Sequence, residues 1–497
     1  MKIFSSDKIF KLVLAAFFVR AATAAAKAFL PFDLPHVWRQ VDTLGVSIRY
    51  WLRWTVEPEL HHPLVPAVLN SMDGYAFMPM EFPLMNLLGA PFFALGPAAG
   101  RTGALLFLFA VHFLLTWLCY RSWKDKIILG RKVGWAFLLL PVVGISSTFI
   151  TKFMPDYLAM LLVLWGVSFL WDKQTSESSS GTVTNEIGGA GVLSEKGHEK
   201  GVSFGSGLFA IFLMTLGLLV KPTSVTVLVL LLLRDAPWMQ RISRSLWAIP
   251  ALLCAALYYT AGLKWMSSLQ DTIGLFAVQS RNPWTSLVEF LAEPASIFKL
   301  VFENMAFTAA PVFFAVVFLF SASTIRVRIL WLTAALLMQT VAIAALDGSH
   351  SFIHSYYHIG TSPIVALLVV ISVEGALDAG GTKMKWMLGI LAALVLSLIY
   401  KNTFFELRSL SGRKAERYIW PSEIQGLKDR NPSFPWSQGY TFRATRTLAY
   451  PNLGIYFGER EGSSSAEFGF YLNSEMLPPH CQMVDKSQSV SLVRCRD

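Results

Sequence analysis

Charge is scarce in this 497-residue chain: Asp, Glu, Lys and Arg together make up 15% of it, against 54% apolar residues and a mean hydropathy of +0.50. Cysteine is scarcer, with four residues, too few for a scaffold built on disulfides. No Walker-type glycine-rich loop and no dinucleotide fingerprint after a strand is present, so nothing points to a soluble nucleotide as energy source. No convincing internal repeat is visible, and paired broken helices in related halves are the usual mark of a secondary transporter. The net charge of +10 does not mark a nucleic-acid binder. Its basic residues sit in short loops between apolar runs: Arg121, Lys124, Lys126, Arg131 and Lys132; then Arg234, Arg241 and Arg244; then Lys383 and Lys385. That is the positive-inside pattern of a multi-pass membrane protein.

What is abundant is apolar sequence of near-bilayer length. The runs predict spans at 9–30, 100–120, 133–150, 157–171, 205–220, 223–234, 246–264, 301–321, 328–346, 362–377 and 386–400, about eleven crossings. The first run resembles a signal peptide with a cleavage site around Ala21 to Ala26. An uncleaved first helix is the better reading, because the polar segment after it needs a tether at the membrane face. Arg20 and Lys27 at that helix are expected to snorkel or to face a cavity. Residues 205–234 read either as one kinked helix or as a hairpin turning at Lys221-Pro222. The hairpin is favoured, because a single crossing would put Arg326, Arg328, Lys383 and Lys385 on the outer side. With the N-terminus inside, the C-terminus lies outside, and residues 31–99, 151–156, 265–300 and 347–361 face out.

The first outer loop carries amphipathic pieces, around Trp51, Leu52, Trp54 and Leu60 and from Phe82 to Leu95, that predict helices lying in the interface. Residues 173–203, rich in Ser, Gly, Thr, Glu and Lys, read as a disordered cytoplasmic loop. The tail, 401–497, has strand-like runs at 440–449, 454–457, 468–472 and 490–493 and predicts a small α/β domain outside. Cys119 and Cys254 fall in spans, where a buried thiol is the default. Cys481 and Cys495 share the outer tail and are expected to form a disulfide.

Polar residues on the outer face are the candidates for chemistry. His36-Val37-Trp38-Arg39-Gln40-Val41-Asp42-Thr43 follows the first span, with an acid, a guanidinium and an amide close together. Asp33, Glu81 in Glu81-Phe82-Pro83-Leu84, and Asp156 after Pro155 add further carboxylates. Any one alone fits an ordinary helix start, where a carboxylate meets the positive end of the helix dipole. Lys221 stands at an outer turn, against the charge trend. Asp347, His350, His354, Tyr356, Tyr357 and His358 crowd a loop ahead of Pro363. The spacing of the three histidines matches no strong ligand motif, and a divalent metal there stays open. For His61-His62-Pro63, interfacial packing is the safer reading.

Trp38-Arg39-Gln40 with Asp42-Thr43, Glu81-Phe82-Pro83-Leu84, Pro155-Asp156, Lys221-Pro222 and Tyr356-Tyr357 with Pro363, in that order, resemble the membrane glycosyltransferases of the GT-C fold. The chain is most similar to the bacterial family 39 group, related to protein O-mannosyltransferases and lipid A aminoarabinose transferases. The resemblance covers residues 9–400. Phe82 departs from relatives that carry Lys there, and 173–203 is similar to an insertion. The resemblance implies an all-helical GT-C membrane domain over 1–400 with an extracytoplasmic α/β domain over 401–497. It implies transfer of a sugar from a polyprenyl-phosphate donor to a hydroxyl of an envelope lipid, glycan or protein, outside a bacterial plasma membrane and by one inverting displacement. It makes Asp42 the general base and sets Arg39, Lys221 and His354, supported by Tyr357, against the leaving phosphate. Glu81 and Asp156 would orient hydroxyls, while Trp38, Gln40 and Tyr356 complete the binding cavity. No cofactor is required, and a divalent metal stays possible. A transporter is the alternative class, and a non-catalytic lipid-binding or assembly protein a third.

Overall fold

The structure, a computed structural model, describes residues 6–29, 37–55, 65–70, 74–77, 80–132, 134–171, 203–234, 237–269, 282–297, 300, 318–319, 321–348, 352, 354–379, 381–382, 386, 389, 426–427, 429–433, 468–472, 481–487 and 490–495. The expected spans 301–321 and 386–400, the loop 173–203 and most of the tail fall almost wholly outside these residues. So do Asp33, His36, His61, His62 and His350, and the side chains of Trp38, Arg39, Asp42 and Asp347.

Helix α1 (Ser6–Lys27) leads to α2 (Val37–Thr55), a short hairpin of β1 (Ala67–Asn70) and β2 (Gly74–Phe77), and α3 (Leu84–Gly89), which tightens into a 3-10 turn over Ala90–Leu95. In α2 the residues Gln40, Thr43, Leu44, Ser47 and Tyr50 are buried while Trp54 and Thr55 are exposed. That helical spacing packs one stripe of α2 against the protein; the β hairpin was not foreseen.

Helix α4 (Pro97–Trp123) runs antiparallel to α1, with Phe10 on Tyr120 at 5.9 Å and Phe17 on Phe113 at 5.3 Å between ring centres. At about 40 Å it exceeds the hydrocarbon thickness. A tight hairpin of β3 (Ile127–Ile128) and β4 (Arg131–Lys132) follows. The expected span at 133–150 is not one helix. It is a 3-10 helix Gly134–Leu139, a run of turns, and the single helical turn α5 (Ser146–Phe149). Pro141 lacks an N–H, Gly144 has φ +70°, and the Ser146 hydroxyl donates to the carbonyls of Leu140 and Val143. Such backbone is stable at membrane depth only when surrounded by protein, and Ala136 through Val143 is buried.

Helices α6 (Pro155–Phe169) and α7 (Phe204–Val220) are antiparallel and closely packed, with Phe169 edge-on to Phe209 at 5.0 Å. A Cβ at Gly217 would lie 2.7 Å from Val163 Cγ2 and 2.8 Å from the Ala159 carbonyl. Small residues allow such close approach between membrane helices. Residues Pro222–Leu233 return as a 3-10 helix rather than the α-helix expected. At about 2.0 Å per residue its twelve residues reach about 24 Å, matching the roughly 22 Å of the fifteen-residue α6 beside it.

Helix α8 (Trp238–Ser245), α9 (Ile249–Leu257), a π turn (Tyr258–Gly262) and α10 (Leu263–Ser267) run on from one another. Then come α11 (Pro283–Leu291), α12 (Ser323–Asp347), a 3-10 helix Ser355–Thr361 and α13 (Ser362–Ala379). Among the described residues four helices are long and apolar enough to cross a membrane: Ala99–Trp123, Trp238–Ser267, Ser323–Ala345 and Ser355–Gly375. Cys119 is buried as expected, but Cys254 is exposed. The helix carrying it packs on one side only and presents Leu252, Leu253 and Leu257 outward.

The bundle has two chemically different ends. Trp171 Nε1 donates to the Ile127 carbonyl, Arg234 bridges Ile128, and Arg131 lies 3.6 Å from Glu374. These contacts gather Arg121, Lys124, Lys126, Arg131, Lys132, Arg234, Arg241, Arg326 and Arg328 at one end. Because α7 leaves that end and the 3-10 helix returns to it, the chain does reverse at Lys221. The opposite end holds Glu81, Asp156, Lys221 and the Tyr356-Tyr357 turn. Arg20 and Lys27 do not snorkel. Arg20 Nη2 donates to the Ser147 carbonyl at 2.6 Å and Lys27 Nζ to Thr151 Oγ1 at 3.4 Å, both buried.

In the tail, β5 (Phe468–Leu472), β7 (Val490–Cys495) and β6 (Cys481–Lys486) form an antiparallel sheet in the order β5-β7-β6. Two of these strands were expected and β6 was missed. Cys481 is disulfide-bonded and stands opposite Cys495 in the ladder.

Candidate functional site

Three of the predicted residues meet at breaks between helices. Lys221 is the residue between α7 and Pro222, with extended backbone at φ −157° and ψ 113°, the conformation that a following proline favours. Asp156 occupies the first turn of α6 behind Met154 (φ −138°, ψ 143°) and Pro155. Glu81 precedes Pro83 and the start of α3. The Phe82 N–H donates to the Leu219 carbonyl at 2.9 Å, which ties the Glu81 segment to the last turn of α7.

The Lys221 ammonium donates to Glu81 Oε1 at 2.5 Å and lies 3.8 Å from Asp156 Oδ1. It also faces the rings of Tyr357 at 4.7 Å and Tyr356 at 5.4 Å. Two carboxylates and two π faces thus surround one cation that is only 4% exposed, the arrangement a buried charge requires. The Glu81 side chain, 14% exposed against 2% for Asp156, stands at the mouth of the group. His354 flanks it, with its ring 5.3 Å from Tyr356 and 5.5 Å from Tyr357. Lys221 was expected to meet a leaving phosphate; in the structure its charge is engaged by Glu81 and Asp156.

Gln40 acts on the same corner from α2. Its buried Oε1 accepts from the Phe153 N–H at 3.4 Å, just ahead of Pro155-Asp156. Asn86 of α3 donates to the carbonyl of Thr43, the residue after Asp42. The backbone of Trp38, Arg39 and Asp42 therefore lies on a helix that braces this end of the bundle.

Several residues here escaped the sequence reading. Lys152 is fully buried in the corner that carries Asp156. The Tyr258 hydroxyl donates to the Met80 carbonyl at 3.0 Å and that of Tyr259 to the Leu219 carbonyl at 2.7 Å, holding the neighbours of Glu81 and Lys221. A Tyr-Tyr pair inside an apolar span was the available signal. His358, already part of the polar loop noted in the sequence, is buried, and neither ring nitrogen has a hydrogen-bond partner among the described residues. No group of three or more His, Cys, Asp or Glu among the described residues could hold a metal ion.

Comparison with solved structures finds a likeness over nearly the whole chain. ArnT from Cupriavidus metallidurans bound to undecaprenyl phosphate matches at a TM-score of 0.52 and 11% identity, covering 98% of each chain. The same protein in the apo state matches at 0.50 and 12% identity, over 98% of this chain and 97% of that one. The chain has the GT-C fold, as its ordered motifs led one to expect. No family model and no curated protein matches it by sequence.

Proposed function

We propose that this protein is an integral-membrane glycosyltransferase. It moves a sugar from a polyprenyl-phosphate donor to an acceptor hydroxyl on the outer face of a bacterial plasma membrane. One observation carries the reading. A fold shared with a protein crystallised on undecaprenyl phosphate bears a buried cluster of two carboxylates, a lysine and two tyrosines. The cluster sits at the end opposite the basic loops, and the positive-inside rule makes that the outer end. A disulfide-bonded Cys481 in the tail fits an oxidising compartment on that side.

In the proposed reaction Asp42 takes the proton of the acceptor hydroxyl as its oxygen attacks the anomeric carbon. The bond from that carbon to the phosphate oxygen breaks on the opposite side, and polyprenyl phosphate leaves with the electron pair, inverting the centre. Arg39 and His354 are the candidates to meet the charge that develops on the phosphate. Lys221 holds Glu81 and Asp156 in place, and the accessible Glu81 orients sugar or acceptor hydroxyls. The sugar is a hexose or pentose and the acceptor an envelope lipid, glycan or protein.

The test uses purified protein in liposomes with a polyprenyl-phosphate sugar and envelope extract as acceptor source. Transfer of label is expected, and Asp42→Asn is expected to bind donor while losing transfer about 100-fold or more. Full activity in that variant would remove Asp42 as the base. Net flux of lipid-linked sugar across the vesicle without transfer would make the protein a transporter.

A further inference from the structure

The basic end contains a second constellation that sugar transfer does not use. A cavity of about 450 Å3 opens between the β3–β4 turn, the end of the Pro222–Leu233 helix, α8 and the start of α12. Arg241 and Arg328 reach it, with Ser323 and Thr324 from the first turn of α12. Arg328 Nη1 is buried without a hydrogen-bond partner among the described residues. Its other terminal nitrogen presses on the turn so closely that a Cβ at Gly130, where φ is +76°, would stand 2.8 Å away. Arg241 is anchored by donating Nη1 to the Leu232 carbonyl at 2.8 Å. No acidic residue stands in the first turn of α12, and no side chain caps its N-terminal amides. Two guanidinium groups, two hydroxyls and a helix N-terminus therefore face one space with no described carboxylate lining it.

We infer that this cavity binds the phosphate of an acidic phospholipid of the inner leaflet. The anion is set by the donors: two guanidinium groups line the cavity with no described carboxylate among them, and a phosphodiester oxygen supplies an acceptor of matching charge. The lipid is set by the surroundings. Val327 and Trp331 line the cavity yet are largely exposed on the outside of the bundle, where acyl chains run. Helix α8, the basic end of the Trp238–Ser267 span, turns Trp238, Met239 and Ile242 outward beside Arg241 and Arg244, the aromatic and basic flank of a span entering the headgroup region. Basic pockets between spans at the cytoplasmic side are suited to such headgroups. The inference requires the chain to span the bilayer with its basic end inside, and is independent of the transfer chemistry.

The test is native mass spectrometry of the full chain from phosphatidylethanolamine nanodiscs with and without phosphatidylglycerol. Thermal unfolding in detergent with either lipid, or with inorganic phosphate, is measured in parallel. Retention of phosphatidylglycerol over phosphatidylethanolamine is expected, with a loss of about fivefold for Arg328→Gln and a similar further loss when Arg241→Gln is added. Arg326→Gln is the charge-matched control, since its guanidinium is taken by the Ser321 and Leu319 carbonyls, and it should retain the lipid. The inference is overturned if the parent protein shows no preference, if Arg328→Gln keeps it, or if Arg326→Gln loses it equally. Equal stabilisation by inorganic phosphate would reassign the cavity to a free anion.

Discussion

Replacing Lys221 with Met is the most exacting perturbation of the cluster, because it removes the cation and leaves the apolar stem. At an effective dielectric of about 20, the 2.5 Å and 3.8 Å separations correspond to gross attractions of about 7 kcal/mol to Glu81 and about 4 kcal/mol to Asp156. Desolvation of three buried ions offsets most of that sum, so the net worth of the cluster is small. Removing the lysine alone is a different matter: the buried Asp156 and the partly exposed Glu81 lose their shared cation, and the expected cost is about 3–5 kcal/mol. Glu81→Gln should cost less, since Lys221 keeps Asp156 and both tyrosine rings. The double variant no longer strands the Glu81 carboxylate and should be more stable than Lys221→Met alone, with a coupling energy of about 2 kcal/mol. Unfolding by SDS titration in mixed micelles, followed by tryptophan fluorescence, measures all four corners of the cycle. Strict additivity of the two single effects would refute the reasoning, because it would mean the pair does not interact.

Other expectations follow from the same contacts. Tyr357→Leu should destabilise by about 1–2 kcal/mol and more than Tyr357→Phe, which keeps the ring face that meets Lys221; the same SDS titration distinguishes them. Gly217→Ala should cost about 1–3 kcal/mol, because its methyl group would press on Val163 and on the Ala159 carbonyl of α6. Unfolding without reductant should leave Cys119 and Cys254 as the only alkylatable thiols by intact mass, two more appearing after reduction. In the tail, partial burial raises the Asp485 pKa, but the Arg430 and Asn431 side chains and the Lys486 N–H outweigh it and hold the carboxyl below its ordinary value. A depressed folded pKa stabilises at neutral pH and is lost as pH falls through and below about 4. Protection of the amides at residues 429–433, taken relative to their intrinsic exchange rates, should therefore fall on acidification in the parent protein and be pH-insensitive in this respect in Asp485→Asn.

The sequence made the apolar helices and one chain reversal readable where composition controls the outcome. Charge in the loops predicted the reversal at Lys221-Pro222, and the structure turns there because Arg234 must reach the same end as Ile128. Composition could not say which apolar runs would be regular helices. Residues 134–150 and 222–233 are apolar enough to span, yet burial inside the bundle lets turns and 3-10 backbone persist where lipid contact would have enforced an α-helix. The cluster was legible as a set of residues, since Glu81, Asp156, Lys221, Tyr356 and Tyr357 do converge. Their mutual engagement was not legible. A lysine that reads as a free cation in sequence is held by two carboxylates contributed from 65 and 140 positions away.

Helix direction explains why these charges meet. Lys221 ends α7, the negative end of a helix dipole, and Asp156 begins α6, the positive end of another. Each charge is favoured by its own helix before any tertiary contact forms. Packing α6 and α7 antiparallel brings a C-terminus beside an N-terminus, and so sets the cation beside the anion. Pro155 and Pro222 fix the two boundaries, because each pushes the residue before it into extended backbone and stops the helical register there. Moving either proline by one residue would carry its charged neighbour about 100° around the helix axis. The polar end is thus encoded twice, in dipole-matched charges and in the prolines that set their depth. Lys221→Glu should accordingly destabilise more than Lys221→Met, since it reverses the charge at the end of α7 and places a third carboxylate beside Glu81 and Asp156. Equal stability of these two variants in the SDS titration would show that the charge at this helix junction is not what holds it.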